Sequence, residues 1–294
     1  MRTKLINISL MLFLVLCLSS EIGEASYISL SPQLDIPPII LHKHFEVNFS
    51  LVNLGDEAAY DVNIKLLYPP CIKIEPLKLG TLSPNIPFHG VLKFYTENNT
   101  KPGVYTLVLL LGYRDKNAYP FSNIVASLLN LNSSSKSKLE VRVMPLNLTP
   151  KESGKLRVNL TNLDIYQHKI TLRLHLPNEL SSTIKERKVE VEGGTTYSTY
   201  FDISSKNALS GSSYVVVVSA EYEEDGIHDC TFGFTTVSIE GEEEYQNYEK
   251  LSLYPNEWVA KGVRVISQLH LPRGFVFKMF ILTLILFVIL QFKK

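Results

Sequence analysis

Cysteine is scarce in this chain: three residues in 294, of which Cys17 lies in an apolar N-terminal stretch. Only Cys71 and Cys230 remain in the body, so one bridge is the most that oxidation can make. Charge of one sign is absent too. Twenty-nine basic side chains face 29 acidic ones, and a net charge of zero supplies no field to attract nucleic acid. No nucleophile constellation, no carboxylate pair and no metal-ligand set stands out, and the body carries no helical stripe. These absences point away from an enzyme, from a DNA- or RNA-binding protein and from a resident metal or cofactor. Disorder is excluded by what is present: 14 Phe, 15 Tyr and abundant Leu, Ile and Val can build a core.

Much of the apolar excess sits at the two ends. Arg2 and Lys4 precede the apolar run Leu5 to Leu18, and Gly23 and Ala25 stand where a signal peptidase reads small residues. Residues 1–25 are therefore expected to be an export signal cleaved after Ala25, with an uncleaved signal anchor as the alternative. At the other end, Phe275 to Phe292 carry a single charge, Lys278, before Lys293 and Lys294 end the sequence. Eighteen helical residues cover roughly 27 Å, enough for the hydrocarbon core. Residues 275–292 are read as a transmembrane helix, with Lys278 extending to the headgroups and 293–294 as a cytoplasmic tail.

Between the ends the pattern is that of strands. Phe45, Val47, Phe49 and Leu51 alternate with polar residues, as do Val62, Ile64 and Leu66. Tyr105 to Tyr113 is more continuously apolar and reads as a strand nearer the middle of a sheet. An internal repeat is visible. Val47 to Leu54 lines up with Leu156 to Leu163 at an offset of 109 residues, and Tyr105 and Tyr113 match Tyr214 and Tyr222. The Asn-Leu pairs, 53–54 and 162–163, suit a strand-to-turn corner, because Asn bonds back to its own turn and tolerates left-handed backbone. The tyrosine pairs put two rings on one strand face, at the edge of a core. The expected fold is all-β: two tandem Ig-like antiparallel β-sandwiches, 26–133 and 137–242, a juxtamembrane stalk over 243–273, and one C-terminal transmembrane helix.

Asn53-Leu54-Gly55, Ala59-Tyr60-Asp61-Val62 and Pro69-Pro70, with Leu79-Gly80-Thr81-Leu82 and Lys101-Pro102-Gly103-Val104-Tyr105, form a recognisable series. It resembles the CARDB-type Ig-fold domains of archaeal and bacterial surface proteins, some of them S-layer-like. The second copy has Asp164 in place of the glycine and lacks the Pro-Gly pair. The resemblance implies a spacer, adhesion or accessory module, a role carried by fold analogy alone.

Individual residues add detail. Asn48, Asn98, Asn132, Asn147 and Asn159 each begin an Asn-x-Ser/Thr sequon and are candidate N-glycosylation sites; Pro150 follows the sequon of Asn147. A Cys71–Cys230 disulfide requires the two sandwiches to fold against each other; separate buried thiols are the alternative. His42 and His44 share a strand face without a third ligand. His228-Asp229-Cys230 suggests a nucleophile, yet adjacent strand residues point to opposite faces. Glu221, Glu223, Glu224 and Asp225, with Glu240 and Glu242 to Glu244, read as a solvated acidic surface rather than a calcium loop. Tyr245, Tyr248, Tyr254 and Trp258 precede the span and suit a bilayer interface.

The expected protein is a membrane-anchored, single-pass cell-envelope glycoprotein, archaeal in type, with the bulk of the chain extracytoplasmic and the C-terminus cytoplasmic, acting as a non-enzymatic structural, spacer or adhesion module. Its partners would be the lipid bilayer and other envelope or membrane proteins. The alternative is an accessory subunit of a membrane transporter or secretion complex.

Overall fold

Period-two alternation becomes strand wherever it occurs in the body. The computed structural model of the chain describes residues 27–241, except 76 and 135. The expected signal (1–25), the whole of the expected stalk (243–273) and the expected span (275–292) lie outside the described residues. Among the described residues no helix is long and apolar enough to cross a membrane.

Eight strands come from the first copy: β1 (Leu30–Asp35), β2 (His44–Asn53), β3 (Ala59–Tyr68), β4 (Ile72–Ile74), β5 (Leu77–Leu82), β6 (Phe88–Thr96), β7 (Gly103–Arg114) and β8 (Pro120–Leu131). Eight come from the second: β9 (Leu139–Val143), β10 (Leu146–Leu148), β11 (Ser153–Asn162), β12 (His168–His175), β13 (Glu186–Val191), β14 (Thr196–Ser204), β15 (Ser213–Glu224) and β16 (Ile227–Ile239). The first copy forms a sheet in the order β1-β2-β6-β4 and a facing layer of β5, β3, β7 and β8. The second repeats this plan, with β14-β11-β9 facing β13, β12, β15 and β16. Strands β2 and β11 carry the same order of buried, half-buried and exposed positions along all ten residues. Their inward residues are Val47, Phe49, Leu51 and Asn53 in one, and Leu156, Val158, Leu160 and Asn162 in the other.

Each copy owns a core. Val47, Leu51, Phe94, Leu107, Leu109 and Leu129 anchor the first, and Leu156, Leu160, Ile170, Phe201, Val216 and Val218 the second. The described residues are therefore all-β, with apolar cores held between sheet layers.

The two cores are not isolated from each other. Strand β16 meets β7 through a parallel bridge between His228 and Gly103, which joins the facing layers, with β10, into one nine-stranded sheet. A third apolar cluster lies across this junction. Val108, Leu110 and Ile124 of the first copy pack with Val217 of the second, and Tyr68, Ala126, Val215 and Phe232 border them. This explains the long apolar runs. Along β7, Tyr105, Leu107, Leu109 and Leu111 enter the first core while Val108 and Leu110 enter the junction. Along β15, Val216, Val218 and Ala220 enter the second core while Val217 enters the junction. Both faces of each strand are covered, so alternation disappears. Both copies belong to one compact unit that ends at Glu240.

Candidate functional site

The junction gathers most of the buried polar chemistry of the described residues. The β15–β16 hairpin sets Glu221 opposite Cys230 and Glu223 opposite His228. His228 and Cys230, two apart on β16, share a strand face with these partners, while Asp229 points the other way. That agrees with the reading that the three adjacent residues form no triad.

Strand β7 supplies the facing wall. The His228 backbone N–H donates to the Pro102 carbonyl at 2.9 Å, and the Tyr105 ring stacks on the imidazole with centroids 4.1 Å apart. The Thr106 hydroxyl lies 2.8 Å from Cys230 Sγ. Gly103 allows the approach. Its φ is +143°, and a Cβ there would stand 2.0 Å from the His228 carbonyl oxygen. Glycine is thus required at this point of the Lys101-Pro102-Gly103 motif.

Glu221 forms the next layer. The Tyr68 hydroxyl donates to its Oε2, and Arg173 Nε donates to its Oε1 at 3.0 Å. Arg173 also pairs with Glu186 and lies 5.5 Å from the centre of the Tyr68 ring. Burial, followed by the adjacent Glu221 charge, raises the Tyr68 hydroxyl far above its ordinary range, so it stays protonated and donates. His175 lies against Tyr68 with centroids 5.2 Å apart, and its Nε2 is 2.9 Å from Ser219 Oγ. Burial and then the Arg173 charge push the His175 imidazole down to about 4, keeping it neutral. Farther along the junction, the buried Glu179 carboxylate accepts from the backbone N–H and, at 2.6 Å, the hydroxyl of Ser122. Lys101 and Glu223 pair across the rim. Tyr113, Phe121 and Tyr214 help line a cleft of about 580 Å³ between the copies.

Ser219 is fully buried, and burial pushes the Cys230 thiol up to about 12, so neither is an available nucleophile at neutral pH. Within the acidic string 221–225, Glu221 departs from the solvated surface expected of it, being buried, while Glu223 and Asp225 are exposed. Glu221 and Glu223 bind partners from the first copy, and Glu224 lies 3.8 Å from Lys138 Nζ. The physical reason is strand alternation, which turns 221 and 223 toward the junction.

Among the described residues two clusters collect metal-ligating atoms: Glu221, His228 and Cys230 in the junction, and Asp164, His168 and Glu224 at the end of the second copy. The second already holds a cation. Lys138 Nζ is 2.7 Å from Asp164 Oδ2, and His168 Nε2 lies 3.0 Å from the same oxygen. The Lys138 hydrogen bond, then that of His168, holds the Asp164 carboxyl far below the usual range.

The other residues singled out in the sequence fall elsewhere. Asn48, Asn98, Asn132 and Asn147 are exposed; Asn159 is half-buried and accepts from Ser198 Oγ at 2.8 Å. His42 and His44 are exposed, and the His44 ring stacks beside Tyr95. Cys71 and Cys230 are both free thiols, half-buried and buried respectively. Asn53 and Asn162 are wholly buried. Asn162 donates to the Tyr166 and Val191 carbonyls and accepts from the Asp164 N–H; Asn53 donates to Glu57 and Leu82 and accepts from Gly55. Neither adopts the left-handed backbone that Asn tolerates; each bonds to its own turn and ties that turn to a strand 29 residues on, β5 through Leu82 or β13 through Val191.

No family model matches the chain, and no curated protein does. Among solved structures, a protein of unknown function from Porphyromonas gingivalis W83 is 15% identical over 71% of this chain and 99% of its own, with a TM-score of 0.30. Red sea bream transglutaminase is 13% identical over 74% of this chain and 32% of its own, with a TM-score of 0.25. Escherichia coli alpha-2-macroglobulin is 9% identical over 74% and 22%, with a TM-score of 0.28.

Proposed function

We propose that the chain is a membrane-anchored, extracytoplasmic, non-enzymatic cell-envelope protein whose paired Ig-like sandwiches, of CARDB type, act as a stiff spacer or adhesion module. The observation that supports this reading is the junction. Apolar side chains from both copies and a network centred on Glu221 and Glu179 tie the sandwiches together, where a hinge would leave them polar and apart. A stiff pair can hold its end loops at a fixed distance from a surface. The Ig-like assignment draws on strand order, with β1, β2 and β6 facing β5, β3, β7 and β8. Four exposed sequon asparagines suit a glycosylated outer surface.

The test uses the full chain with a C-terminal tag in cells that export it. Intact cells are treated with a membrane-impermeant lysine reagent, and their gently solubilised membranes are then passed over the tag resin. Labelled body lysines in a membrane-retained protein, recovered with envelope or wall components, are the expected result. Recovery in the soluble fraction, or an unlabelled body, overturns the anchored outer location. A stoichiometric multi-span partner replaces the spacer role with that of an accessory subunit.

A further inference from the structure

The Glu221, His228 and Cys230 side chains raise a question that stability alone does not answer. A buried imidazole nitrogen costs free energy unless something binds it. His228 is more than nine-tenths buried, and its Nε2 has no hydrogen-bond partner. That nitrogen faces Glu221 Oε2 at 3.7 Å, too long for a hydrogen bond. Cys230 Sγ completes the set, and the ligating atoms of all three lie within 4.8 Å of one another.

We propose that Glu221, His228 and Cys230 bind one zinc-class divalent ion at the junction of the two copies, a site held in shape by Thr106 and Tyr105 of the first copy. The donor set is one thiolate, one imidazole and one carboxylate. That mixture suits zinc, whereas calcium and magnesium take oxygen ligands. Zinc bonds of about 2.0 to 2.3 Å put neighbouring ligand atoms about 3.5 Å apart, so the carboxylate and imidazole already stand near their final separation. Coordination releases the Cys230 proton to solvent, and thiolate and carboxylate then balance the two positive charges.

The surroundings match what orients metal ligands elsewhere. The Tyr105 ring fixes the imidazole plane. Glu223 Oε1 lies 4.0 Å from His228 Nδ1, on the side away from the site, where a carboxylate commonly steadies a ligating histidine. The Thr106 hydroxyl at 2.8 Å is placed to donate to the sulfur. Glu221 keeps Oε1 for Arg173, and Oε2 retains a free lone pair beside its bond from Tyr68. Three protein ligands leave the fourth zinc position to water or the Tyr68 hydroxyl. At Asp164, His168 and Glu224, by contrast, Lys138 already occupies the place of a cation.

Cobalt(II) reports on such a site, because thiolate bound to it absorbs by charge transfer in the near ultraviolet. The probe is Co2+ added to the full-length, chelator-stripped protein in detergent, followed by Zn2+. The account predicts a thiolate–cobalt band saturating at one equivalent and abolished by one equivalent of Zn2+. In C17S/C71S, which leaves Cys230 as the sole thiol and the site untouched, the band persists. In H228Q and E221Q, checked for folding by far-ultraviolet circular dichroism, cobalt affinity falls at least tenfold. Absence of the band in folded wild-type protein, its loss in C17S/C71S, or unchanged affinity in a folded H228Q overturns the proposal. Should both ligand variants unfold, the C17S/C71S spectrum decides alone.

Discussion

A buried polar side chain shows its purpose through its partners, and Asn162 and His175 are opposite cases. Asn162 spends one donor hydrogen and its acceptor within its own turn and the other donor on the Val191 carbonyl at the end of β13. Asn162→Ala therefore orphans two carbonyls and one N–H in a dry site, and a loss of about 2 kcal/mol or more is expected. A urea midpoint unchanged from wild type would contradict that. His175 instead carries a pH dependence. Its unfolded imidazole binds a proton near 6.5 and the folded one only near 4. Between those values the unfolded state holds more protons, so stability is complete above about pH 6.5 and falls as pH drops toward 4. The whole shift corresponds to about 3 kcal/mol. Melting temperatures across that window, compared with His175→Gln, should show the slope flattened in the variant; parallel curves would assign the acid sensitivity elsewhere.

At the scale of strands, the repeat was legible and the junction was only half so. Val47 to Leu54 and Leu156 to Leu163 align because equivalent inward positions demand apolar residues and a shared corner Asn, and β2 and β11 do share one burial order. The apolar run from Tyr105 to Tyr113 announces a strand covered on both faces, but alternation cannot say by what, since the covering residues lie more than 100 positions away. For the same reason Glu221 looks like one of several surface acids until β15 is placed against β7. The junction's signal is the pair of two-sided apolar strands, one in each copy, together with the His228-x-Cys230 spacing. Gly103 tests this level. Gly103→Ala puts a Cβ on the His228 carbonyl at a φ that L residues avoid, and should cost more than about 1 kcal/mol. Gly80→Ala, also at positive φ but with open space around its Cβ position, isolates the backbone share of that cost. Equal midpoints for the two variants would show that the β7–β16 approach contributes nothing.

For the molecule as a whole, the account rests on the two sandwiches being one body. If they separated, Cys230 would lie on an outer sheet face; joined, it is wholly buried behind Thr106. The most direct measurement is the rate at which a maleimide labels Cys230 in full-length C17S/C71S protein, with chelator present so that no metal protects the thiol. The prediction is labelling no faster than global unfolding, accelerating with denaturant in step with the loss of β-sheet signal. Rapid labelling under native conditions, at the rate of an exposed thiol, would mean that the sandwiches part freely and would contradict the account.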